Sequence, residues 1–364
     1  MRSLGFSAKF REQAPRFLGA VFCGLTLLSL PACDRKGSTP DWDTPGNDSS
    51  AQTISAAPTA APPLAQQECE PLPVTAAAVE PAVATPRAES GPGLRFIAYN
   101  VENWLTMDRY VDRKSLKGAP KPDQEKAAVI KILTDNQPDV LGVCEIGTAA
   151  DLAEIQEQLK AAGLDLPNSH FTGGSDPTRH LGLLSKFPIA STAKPEVSEY
   201  QLDGQTFGIN RGILDASITA HGKSYRFIGV HLKSKRESEQ GDQEIIRLNE
   251  ARLLRRHVDS ILSADANARL IVYGDFNDTR ATKAIRMVTG KYNDPAYLTA
   301  LPAKDSNQEA WTHYWEINDI YSRIDFIMVS QGMKSDVNFN DSKIIDDKGW
   351  NSASDHRPLL GIFR

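Results

Sequence analysis

The chain has 364 residues, of which 41 are Lys or Arg and 46 are Asp or Glu, so its formal net charge is −5 at pH 7. This acidic balance excludes a histone-like or ribosomal protein that binds nucleic acid through bulk positive charge. Apolar residues make up 40% of the chain and charged residues 24%, a composition that is ordinary for a globular protein. The large apolar residues are concentrated after residue 92, so we expect the folded core there.

Residues 1–32 have the pattern of a signal peptide. A basic start precedes the apolar run FLGAVFCGLTLLSL, which is shorter than the roughly 20 residues of a membrane-spanning helix. The run ends in LPAC, which resembles the lipobox of bacterial lipoproteins, where the cysteine carries the lipid and becomes the mature N-terminus. We therefore expect an exported protein, periplasmic or at the cell surface, anchored to the membrane through a lipidated Cys33. A plain secretory signal cleaved nearby is the alternative.

Residues 33–92 are rich in Ala, Pro, Thr and Ser. Stretches such as ISAAPTAAPPLAQQ carry few large apolar side chains that could offset the conformational entropy lost on folding. We expect a disordered tether that holds the remainder of the chain away from a membrane surface. The folded domain then comprises residues 93–364.

From residue 94 onward, strand-like and helix-like segments alternate. Residues 95–101 and 140–144 are apolar runs that predict buried strands, with Cys144 as a small buried apolar residue. Residues 123–133 between them have helical periodicity, with Asp123 as the expected N-cap. The later predicted strands are 181–184, 212–219, 225–230, 270–273, 324–329 and 359–363.

The longest predicted helix covers residues 244–262. Its apolar residues fall on one side at helical spacing, while Arg252, Arg255 and Arg256 fall on the other. We interpret the arginine side as a solvent-exposed face, and contact with nucleic acid is the alternative. His257 lies beside the apolar side and is expected to be a packing residue with its hydrogen bonds satisfied.

Polar residues with catalytic potential lie at the ends of most predicted strands. Functional groups of mixed α/β sheets gather where strands end and loops begin, so we expect these residues to share one cleft. The set comprises Asn100, Glu102, Glu145, His231, Asp275, Asn277, Asp325, Asp355 and His356.

The residue types in this set point to metal-assisted chemistry. The sequence has no glycine-rich P-loop, no serine nucleophile elbow and no Cys or His cluster at zinc-site spacing. Carboxylate and amide oxygens without thiolates suit a hard divalent ion, Mg²⁺ above all, with Mn²⁺ or Ca²⁺ as alternatives. Hydrolysis of a phosphate ester needs a metal, a base for water and donors for the phosphate oxygens, and the set supplies all three.

Six motifs in order, YNVEN, VCEI, VHLKSK, GDFND, RIDFIMVS and SDHRPL, resemble those of the endonuclease/exonuclease/phosphatase superfamily, which has the deoxyribonuclease-I-like fold. The resemblance covers residues 94–364, and the GDFND and SDHRP motifs are its most specific part. It implies a four-layered α/β sandwich in which two mixed β-sheets pack face to face with helices outside.

The resemblance also implies a metal site. Glu145 is then the principal metal ligand, and Asn100 lies near both the metal and the substrate phosphate. Asp355 completes the site, and Glu102 is a further candidate ligand.

The catalytic roles implied by the resemblance fall on five residues. Asp275 orients or deprotonates the attacking water, and Asn277 holds a phosphate oxygen beside it. His356 contacts the scissile phosphate as a general acid/base, supported by Asp325. His231 is similar to a second family histidine that assists the leaving group or the phosphate.

The expected activity is therefore a Mg²⁺-dependent phosphodiesterase, and an extracytoplasmic nuclease acting on DNA or RNA is the first hypothesis. Arg211 resembles an arginine that contacts the substrate backbone in nuclease branches, although an ordinary surface arginine is nearly as well supported. Among Trp311, Tyr314 and Trp315, at least two are expected to pack in the core; stacking on a base or sugar is the alternative.

Two other functions stay open. A phosphatase or phospholipase C-type hydrolase acting on inositol phosphate, sphingomyelin or another phospholipid would keep the same metal and histidine set and differ in its loops. A catalytically silent surface binding protein would be expected to lose Asp275 or His356 first. We expect a monomer with no protein partner, whose contacts are its phosphodiester substrate and the membrane that holds its lipid anchor.

Overall fold

The computed structural model describes residues 93–111, 114–237 and 241–364. The predicted signal peptide, the lipidation of Cys33 and the tether lie outside the described residues and stay predictions. In the part of the chain that is described, no helix is both long enough and apolar enough to cross a membrane.

Strands outnumber helices in the folded region, as the sequence periodicity predicts. The strands are Leu94–Trp104 (β1), Met107–Val111 (β2), Lys114–Ala119 (β3), Val140–Ile146 (β4), Asn168–Thr172 (β5), His180–Ser185 (β6), Ile189–Thr192 (β7), Glu199–Leu202 (β8), Gln205–Gly208 (β9), Ile213–Ala220 (β10), Lys223–His231 (β11), Leu270–Asp275 (β12), Thr299–Ala300 (β13), His313–Trp315 (β14), Ile320–Ser322 (β15), Asp325–Val329 (β16), Lys343–Ile344 (β17) and Leu359–Phe363 (β18). The helices are Asp123–Asn136 (α1), Ala149–Ala161 (α2), Gln243–Ala264 (α3), Lys283–Thr289 (α4) and Trp350–Ala353 (α5), with 3₁₀ turns at Glu316–Asn318 and Gln331–Asp336.

Two six-stranded mixed sheets form the body of the domain. The first has the strand order β17-β18-β1-β4-β6-β5, and the second has the order β13-β16-β12-β11-β10-β7. Each sheet contains one central parallel pair, β1 with β4 and β11 with β12, and its other strands pair antiparallel. Helix α1 connects the first parallel pair and α3 connects the second, as parallel strands require a crossover.

The alternation of side chains along β1 shows how the layers pack. Leu94, Phe96 and Ala98 belong to the core between the two sheets, whereas Ile97 and Tyr99 face the cluster that includes α1 and α2. A third cluster joins the outer face of the second sheet to α3 and α4. The order of layers is therefore helix, sheet, sheet, helix, which confirms the predicted four-layered sandwich.

Tyr273 of β12 marks the closest approach between the sheets. Its ring is buried and lies in edge contact with Phe96, with ring centroids 4.8 Å apart. A Cβ on Gly142 of β4 would lie only 2.1 Å from Cε2 of this ring. Glycine at residue 142 is therefore required by the space that Tyr273 occupies.

Two details of the helices differ from or refine the expectations. The N-cap position of α1 is occupied by Pro122, so Asp123 is the first helical residue and the predicted cap is wrong. Proline at residue 122 keeps the preceding backbone extended, and the acidic Asp123 instead meets the positive end of the helix dipole. In α3, Arg255 is buried and donates to Val288 O and Ala296 O, while Arg252 and Arg256 are exposed as expected.

His257 in the same helix confirms the packing interpretation. It is buried, and its Nε2 lies 2.8 Å from Oδ2 of Asp215 in β10. Arg226 of β11 donates to both oxygens of that carboxylate at 2.8 and 2.6 Å. The charge of Asp215 is thus compensated from two sides beneath α3.

Candidate active site

A cleft lies where the carboxyl ends of the parallel strands of both sheets meet. β1 and β4 supply Asn100, Glu102 and Glu145 near their ends, and His231 and Asp275 are the last residues of β11 and β12. The cleft has a volume of about 380 Å³. Seven of the nine predicted strand-end residues line this cleft. The other two, Asn100 and Asp325, are buried beneath it and contact the residues that line it.

Strained backbone is concentrated at this cleft. Glu102, Asn103, Glu145 and Asn277 all have positive φ angles, of 47°, 55°, 65° and 51°. Such a conformation costs a non-glycine residue on the order of 1–3 kcal/mol and persists where the surroundings impose it. Glu145 also lies at an irregularity in strand pairing. Between Cys144 and Ile146, the register of β4 shifts relative to both of its neighbours, β1 and β6. This irregularity turns the Glu145 side chain into the cleft.

Asn100 connects the predicted catalytic residues. Its side-chain Nδ2 donates to Asp275 Oδ2 at 3.1 Å and to Glu145 Oε1 at 3.3 Å, and it lies 3.4 Å from His356 Nε2. Its Oδ1 accepts the backbone N–H of Glu102 at 3.1 Å, which fixes the orientation of the amide. The nitrogen of Asn100 therefore faces the carboxylates, and its role as a metal ligand stays a prediction.

His356 is buried and lies among three carboxylates. Its Nδ1 lies 2.9 Å from Oδ2 of Asp325, and its Nε2 lies 3.7 Å from Oδ2 of Asp275. Burial opposes a charged imidazole, but the carboxylates of Asp325, Asp355 and Asp275 hold the pKa of His356 well above its usual value. Burial and then the Asp325 carboxylate raise the pKa of Asp275 to about 7. The carboxylates around His356 therefore favour its protonated form, and Asp325 orients the ring through Nδ1.

His231 has the opposite electrostatic environment. Its Nε2 lies 3.5 Å from Asp275 Oδ2 and 3.8 Å from Glu145 Oε1. Burial, with the nearby Arg211 cation, holds the pKa of His231 well below its usual value. The pKa values of the two histidines that flank Asp275 are therefore shifted in opposite directions.

Asn277 fixes the Asp275 carboxylate. Its backbone N–H donates to Asp275 Oδ1 at 2.8 Å, and its Nδ2 donates to Asp275 Oδ2 at 3.2 Å and to Leu232 O at 3.0 Å. Gly274 allows this turn, because its φ is +131° and a Cβ there would lie 1.9 Å from Val230 O. Asn277 therefore positions Asp275, and its predicted contact with a phosphate oxygen stays a prediction.

Glu102 and Asp355 lie together at the edge of the cleft. The backbone N–H of Asp355 donates to Glu102 Oε2 at 3.0 Å, and the buried Lys121 donates to Glu102 O at 2.9 Å. Burial and the Asp355 charge raise the pKa of Glu102 to about 7. The raised pKa means that a second negative charge beside Asp355 is unfavourable in this buried position. A cation bound between the two carboxylates would make the charged form of Glu102 more favourable.

The donor set fits a divalent metal. Two groups of His and Asp residues have ligand atoms that all lie within 4.8 Å of one another: His313, Asp355 and His356, and Asp275, Asp325 and His356. Glu145 belongs to neither of these groups. Its carboxylate accepts N–H donors from Asn100 and Asn103. Acidic and histidine groups that could bind a metal are thus present, while the assignment of Glu145 as principal ligand stays a prediction.

Positive side chains line the opposite part of the cleft. Arg179, Arg211, Lys235 and Arg236 all border it. Arg211 is buried, which excludes an ordinary surface arginine, and its Nη1 has no hydrogen-bond partner among the described residues. Its guanidinium is held near the Asp176 carboxylate, with Nε 3.2 Å from Oδ2.

A larger and more open depression of about 540 Å³ lies between α3 and α4. Arg252, Arg255, Lys283, Arg286 and Lys291 line it, and it contains no carboxylate, amide or histidine. This depression therefore lacks the groups that a hydrolytic site needs. We take the smaller cleft as the candidate active site.

Four residues that support the cleft were not among the predicted site residues. Arg179 donates to Asn103 Oδ1 at 2.9 Å, and the backbone N–H of Asn103 donates to Glu145 Oε2 at 3.0 Å. Ser354 donates to Asn100 O at 2.8 Å and accepts the N–H of His356 at 3.0 Å. His313 lies against His356, with ring centroids 4.6 Å apart. Asn103 and Ser354 had a usable signal, because they lie within the motifs YNVEN and SDHRPL, whereas Arg179 and His313 lie in none of the six motifs.

The aromatic residues near the cleft do not pack as predicted. Trp311 and Tyr314 are partly buried and Trp315 is 48% exposed, so the expectation that at least two belong to the core is wrong. Tyr314 and Trp315 lie in β14 of the β14–β15 hairpin, and Trp311 lies just before that strand. Arg357 supports them, since its guanidinium lies 3.5 Å from the Trp311 ring centroid and is paired with Asp305 at 2.8 Å.

Comparison with known proteins identifies the family. The model of the Endonuclease/Exonuclease/phosphatase family matches residues 99–338. No curated protein matches the chain.

Solved structures share the fold at low sequence identity. An endonuclease/exonuclease/phosphatase from Bacteroides vulgatus aligns with a TM-score of 0.53 at 18% identity, covering 74% of this chain and 98% of that chain. The human Nocturnin catalytic domain, solved with a bound sulfate anion, gives a TM-score of 0.52 at 16% identity over 75% of this chain and 94% of that chain. Sphingomyelinase C from Streptomyces griseocarneus gives 0.50 at 13% identity over 75% of this chain and 100% of that chain. At these identities the similarity shows the fold.

Proposed function

Because the chain belongs to the endonuclease/exonuclease/phosphatase family, we propose that it is a metal-dependent phosphodiesterase that hydrolyses nucleic acid outside the cytoplasm. The observation that carries the proposal is the buried arrangement of Asp325, His356 and Asp275. Asp325 holds the imidazole of His356 at 2.9 Å, and Nε2 of the same ring lies 3.7 Å from Asp275. A base and a cationic donor thus face one point in the cleft.

The proposed reaction is the attack of water on phosphorus. Asp275 accepts the proton of the water, a new P–O bond forms, and the P–O bond to the leaving group breaks. His356 donates to a phosphate oxygen and stabilises the charge that develops there. Asn277 and Asn100 hold the Asp275 carboxylate in place, at 2.8 Å and 3.1 Å. His231, kept neutral, donates a hydrogen bond toward the leaving group or the phosphate.

The carboxylates at the cleft edge are proposed to hold the metal. Glu145, Asp355 and Glu102 would supply hard oxygen ligands, with Asn100 beside them. Such a set suits Mg²⁺, Mn²⁺ or Ca²⁺, and of these we propose Mg²⁺. When bound, such an ion neutralises negative charge on the reacting phosphate. The raised pKa of Glu102, to about 7, supports a cation at this edge.

The charge distribution in the cleft supports a polyanionic substrate. Arg179, Arg211, Lys235 and Arg236 border the same cavity as the acidic residues, so the phosphates flanking the scissile bond would meet cations. The overall chain is acidic, and these local side chains supply the positive potential that bulk charge does not. The signal-peptide and lipobox patterns support our proposal that the activity is periplasmic or at the cell surface.

A phospholipid phosphodiesterase is the second candidate, and the β14–β15 hairpin favours it. Trp315 and Ile320 line the cleft, and Ile317 at the hairpin turn is 88% exposed. Exposed apolar side chains beside a catalytic cleft suit a lipid surface. Glu316 and Asp319 in the same hairpin are acidic, however, and would be repelled by an anionic membrane.

The test is hydrolysis of a panel of phosphodiesters by the purified chain with Mg²⁺. The panel contains supercoiled plasmid, single-stranded DNA, RNA, sphingomyelin, phosphatidylinositol and a generic diester such as bis(4-nitrophenyl) phosphate. We expect cutting of nucleic acid that is lost in His356→Ala and retained in the control His170→Ala, which lies on the edge strand β5. Turnover confined to a lipid, reduced by Ile317→Ser, would support the second candidate. Absence of turnover on every substrate would favour a silent binding protein.

A further inference from the structure

Two histidines and one carboxylate converge at the cleft wall without belonging to one sequence motif. His313 Nε2 lies 3.6 Å from Oδ2 of Asp355, and His356 Nε2 lies 3.8 Å from Oδ1 of the same carboxylate. The ligand atoms of these three residues all lie within 4.8 Å of one another. Asp355 therefore bridges two imidazoles, one through each oxygen.

The backbone holds this arrangement in register. His313 and His356 are opposite each other in an isolated antiparallel bridge, so their side chains lie on the same face. Tyr314 N donates to Asp355 O at 3.0 Å, and Arg357 N donates to Thr312 O at 2.6 Å. The three side chains thus come from two segments that are hydrogen-bonded to each other on both sides of the bridge.

The spacing matches a small tetrahedral ion. With bonds of about 2.0–2.1 Å, neighbouring ligand atoms around Zn²⁺ are about 3.3–3.4 Å apart. The measured separations, 3.6 Å from His313 Nε2 to Asp355 Oδ2 and 3.8 Å from His356 Nε2 to Asp355 Oδ1, end on different oxygens of the carboxylate. One ligand atom from each residue lies within 4.8 Å of the others, so small movements of the side chains would bring all three around one ion. Two imidazole nitrogens with one carboxylate favour zinc-class transition metals over Mg²⁺, which prefers oxygen ligands.

The surroundings of His356 also resemble those of a metal ligand. Asp325 lies 2.9 Å from Nδ1, which directs Nε2 toward the cleft and fixes the tautomer. His313 retains 20% exposure of its side chain, so an ion can enter from the cleft. A fourth position facing the cleft would be open to water.

We propose that a zinc-class ion binds between His313, Asp355 and His356 and inhibits the hydrolase by occupying the His356 nitrogen that faces the substrate. The inhibition rests on the proposed function, because it assumes that His356 Nε2 contacts the phosphate. The binding itself does not, since it follows from the three ligand atoms alone. This zinc site shares Asp355 with the proposed Mg²⁺ site but is distinguished by its two nitrogen ligands.

The binding test is calorimetric titration of the metal-free full chain with Zn²⁺ in a constant excess of Mg²⁺. We expect one Zn²⁺ bound per chain in the wild type and in the control His170→Phe. In His313→Phe, the dissociation constant should rise at least ~100-fold, since loss of a direct ligand exceeds the 10–100-fold cost of losing its supporting partner. His313→Gln, with folding checked by circular dichroism, provides a second variant that retains a polar side chain.

The inhibition test measures hydrolysis of a generic phosphodiester in Mg²⁺ at increasing Zn²⁺. The midpoint of inhibition should equal the calorimetric dissociation constant in the wild type, and it should shift by the same factor in His313→Phe relative to that variant's own rate. Equal Zn²⁺ affinity in wild type and both His313 variants, or no binding to the wild type, would overturn the site. If the chain hydrolyses no phosphodiester, calorimetry still decides the zinc site, so the two proposals fail separately.

Discussion

Replacement of Asp325 by asparagine tests the orientation of His356 directly. The substitution keeps the size of the side chain but removes its charge, and the bond to His356 Nδ1 is 2.9 Å long between two buried groups. The backbone N–H of Asp325 donates to Thr312 Oγ1 at 3.1 Å and is unaffected. The change therefore alters the electrostatics of one hydrogen bond and leaves the local fold intact.

The expected loss follows from the strength of that bond. A hydrogen bond to a charged group contributes about 1.5–3 kcal/mol. At 1.36 kcal/mol per factor of ten, removal of the charge should slow turnover about 10- to 160-fold. The imidazolium of His356 is also less stable without the carboxylate, so the fall should appear mainly in kcat.

The assay compares steady-state hydrolysis of a generic phosphodiester in Mg²⁺ by wild type, Asp325→Asn and the control Asp336→Asn. Asp336 pairs with Arg269 and Lys223 in a partly exposed ion pair at the 3₁₀ turn Gln331–Asp336. The control should retain wild-type kcat. If Asp325→Asn also turns over within about twofold of wild type while folded, His356 does not depend on Asp325 and the reasoning is refuted.

Three further outcomes are expected. Asp275→Asn should fold and lose at least ~100-fold in turnover, the scale of a lost acid/base group; turnover near the wild-type rate would remove Asp275 from the mechanism. Gly142→Ala should lower the free energy of unfolding by about 1–3 kcal/mol, because the added Cβ would lie 2.1 Å from the Tyr273 ring. The measurement is urea denaturation, and an unchanged midpoint would contradict the close contact between Gly142 and Tyr273. Burial acts to raise the pKa of Asp215, but hydrogen bonds from His257 and Arg226 lower it. The stability that Asp215 provides is therefore present above the unfolded pKa of about 3.9 and disappears as pH falls through the lower folded pKa. Asp215→Asn should be less stable than wild type at neutral pH and equally stable in strong acid, and a gap that is independent of pH would refute this.

Local sequence patterns predicted the central strands and the cleft, whereas the four-layered fold was implied by the resemblance of six motifs to the endonuclease/exonuclease/phosphatase superfamily. The parallel strands β1, β4, β11 and β12 are short apolar runs that end in polar residues, and their carboxyl ends meet at one edge. Asp275 and Glu145 could therefore be placed in one cleft before the structure. The edge strands β5, β7 and β13 were missed, since short, half-exposed segments lack a strong period-two pattern.

The details of the site depend on contacts between distant segments and could not be read from spacing. Arg179 lines the cleft and donates to Asn103, which is 76 residues earlier in the chain. His313 is brought to His356 by a bridge between separate segments, and no motif around it marks the contact. The positive φ of Glu145, 65°, reflects an irregularity between neighbouring strands that the sequence VCEI does not reveal.

The aromatic prediction failed for a related reason. At least two of Trp311, Tyr314 and Trp315 were expected to be in the core because large apolar residues usually are, yet Trp311 and Tyr314 are only partly buried and Trp315 is 48% exposed. Hydrophobicity alone does not distinguish a core residue from one that lines a binding cleft. The exposed hairpin is a feature of the substrate side of the molecule, and it leaves the choice between nucleic acid and phospholipid to the substrate panel.

The most direct test of the central claim is the rate of phosphodiester hydrolysis in Mg²⁺ and after chelation with EDTA, for wild type and His356→Ala. The account predicts turnover that requires the metal, returns when Mg²⁺ is added back, and falls at least ~100-fold in His356→Ala while His170→Ala keeps the wild-type rate. Hydrolysis that persists in EDTA, or that is equal in His356→Ala and His170→Ala, would contradict the assignment of this cleft as a metal-dependent hydrolytic site.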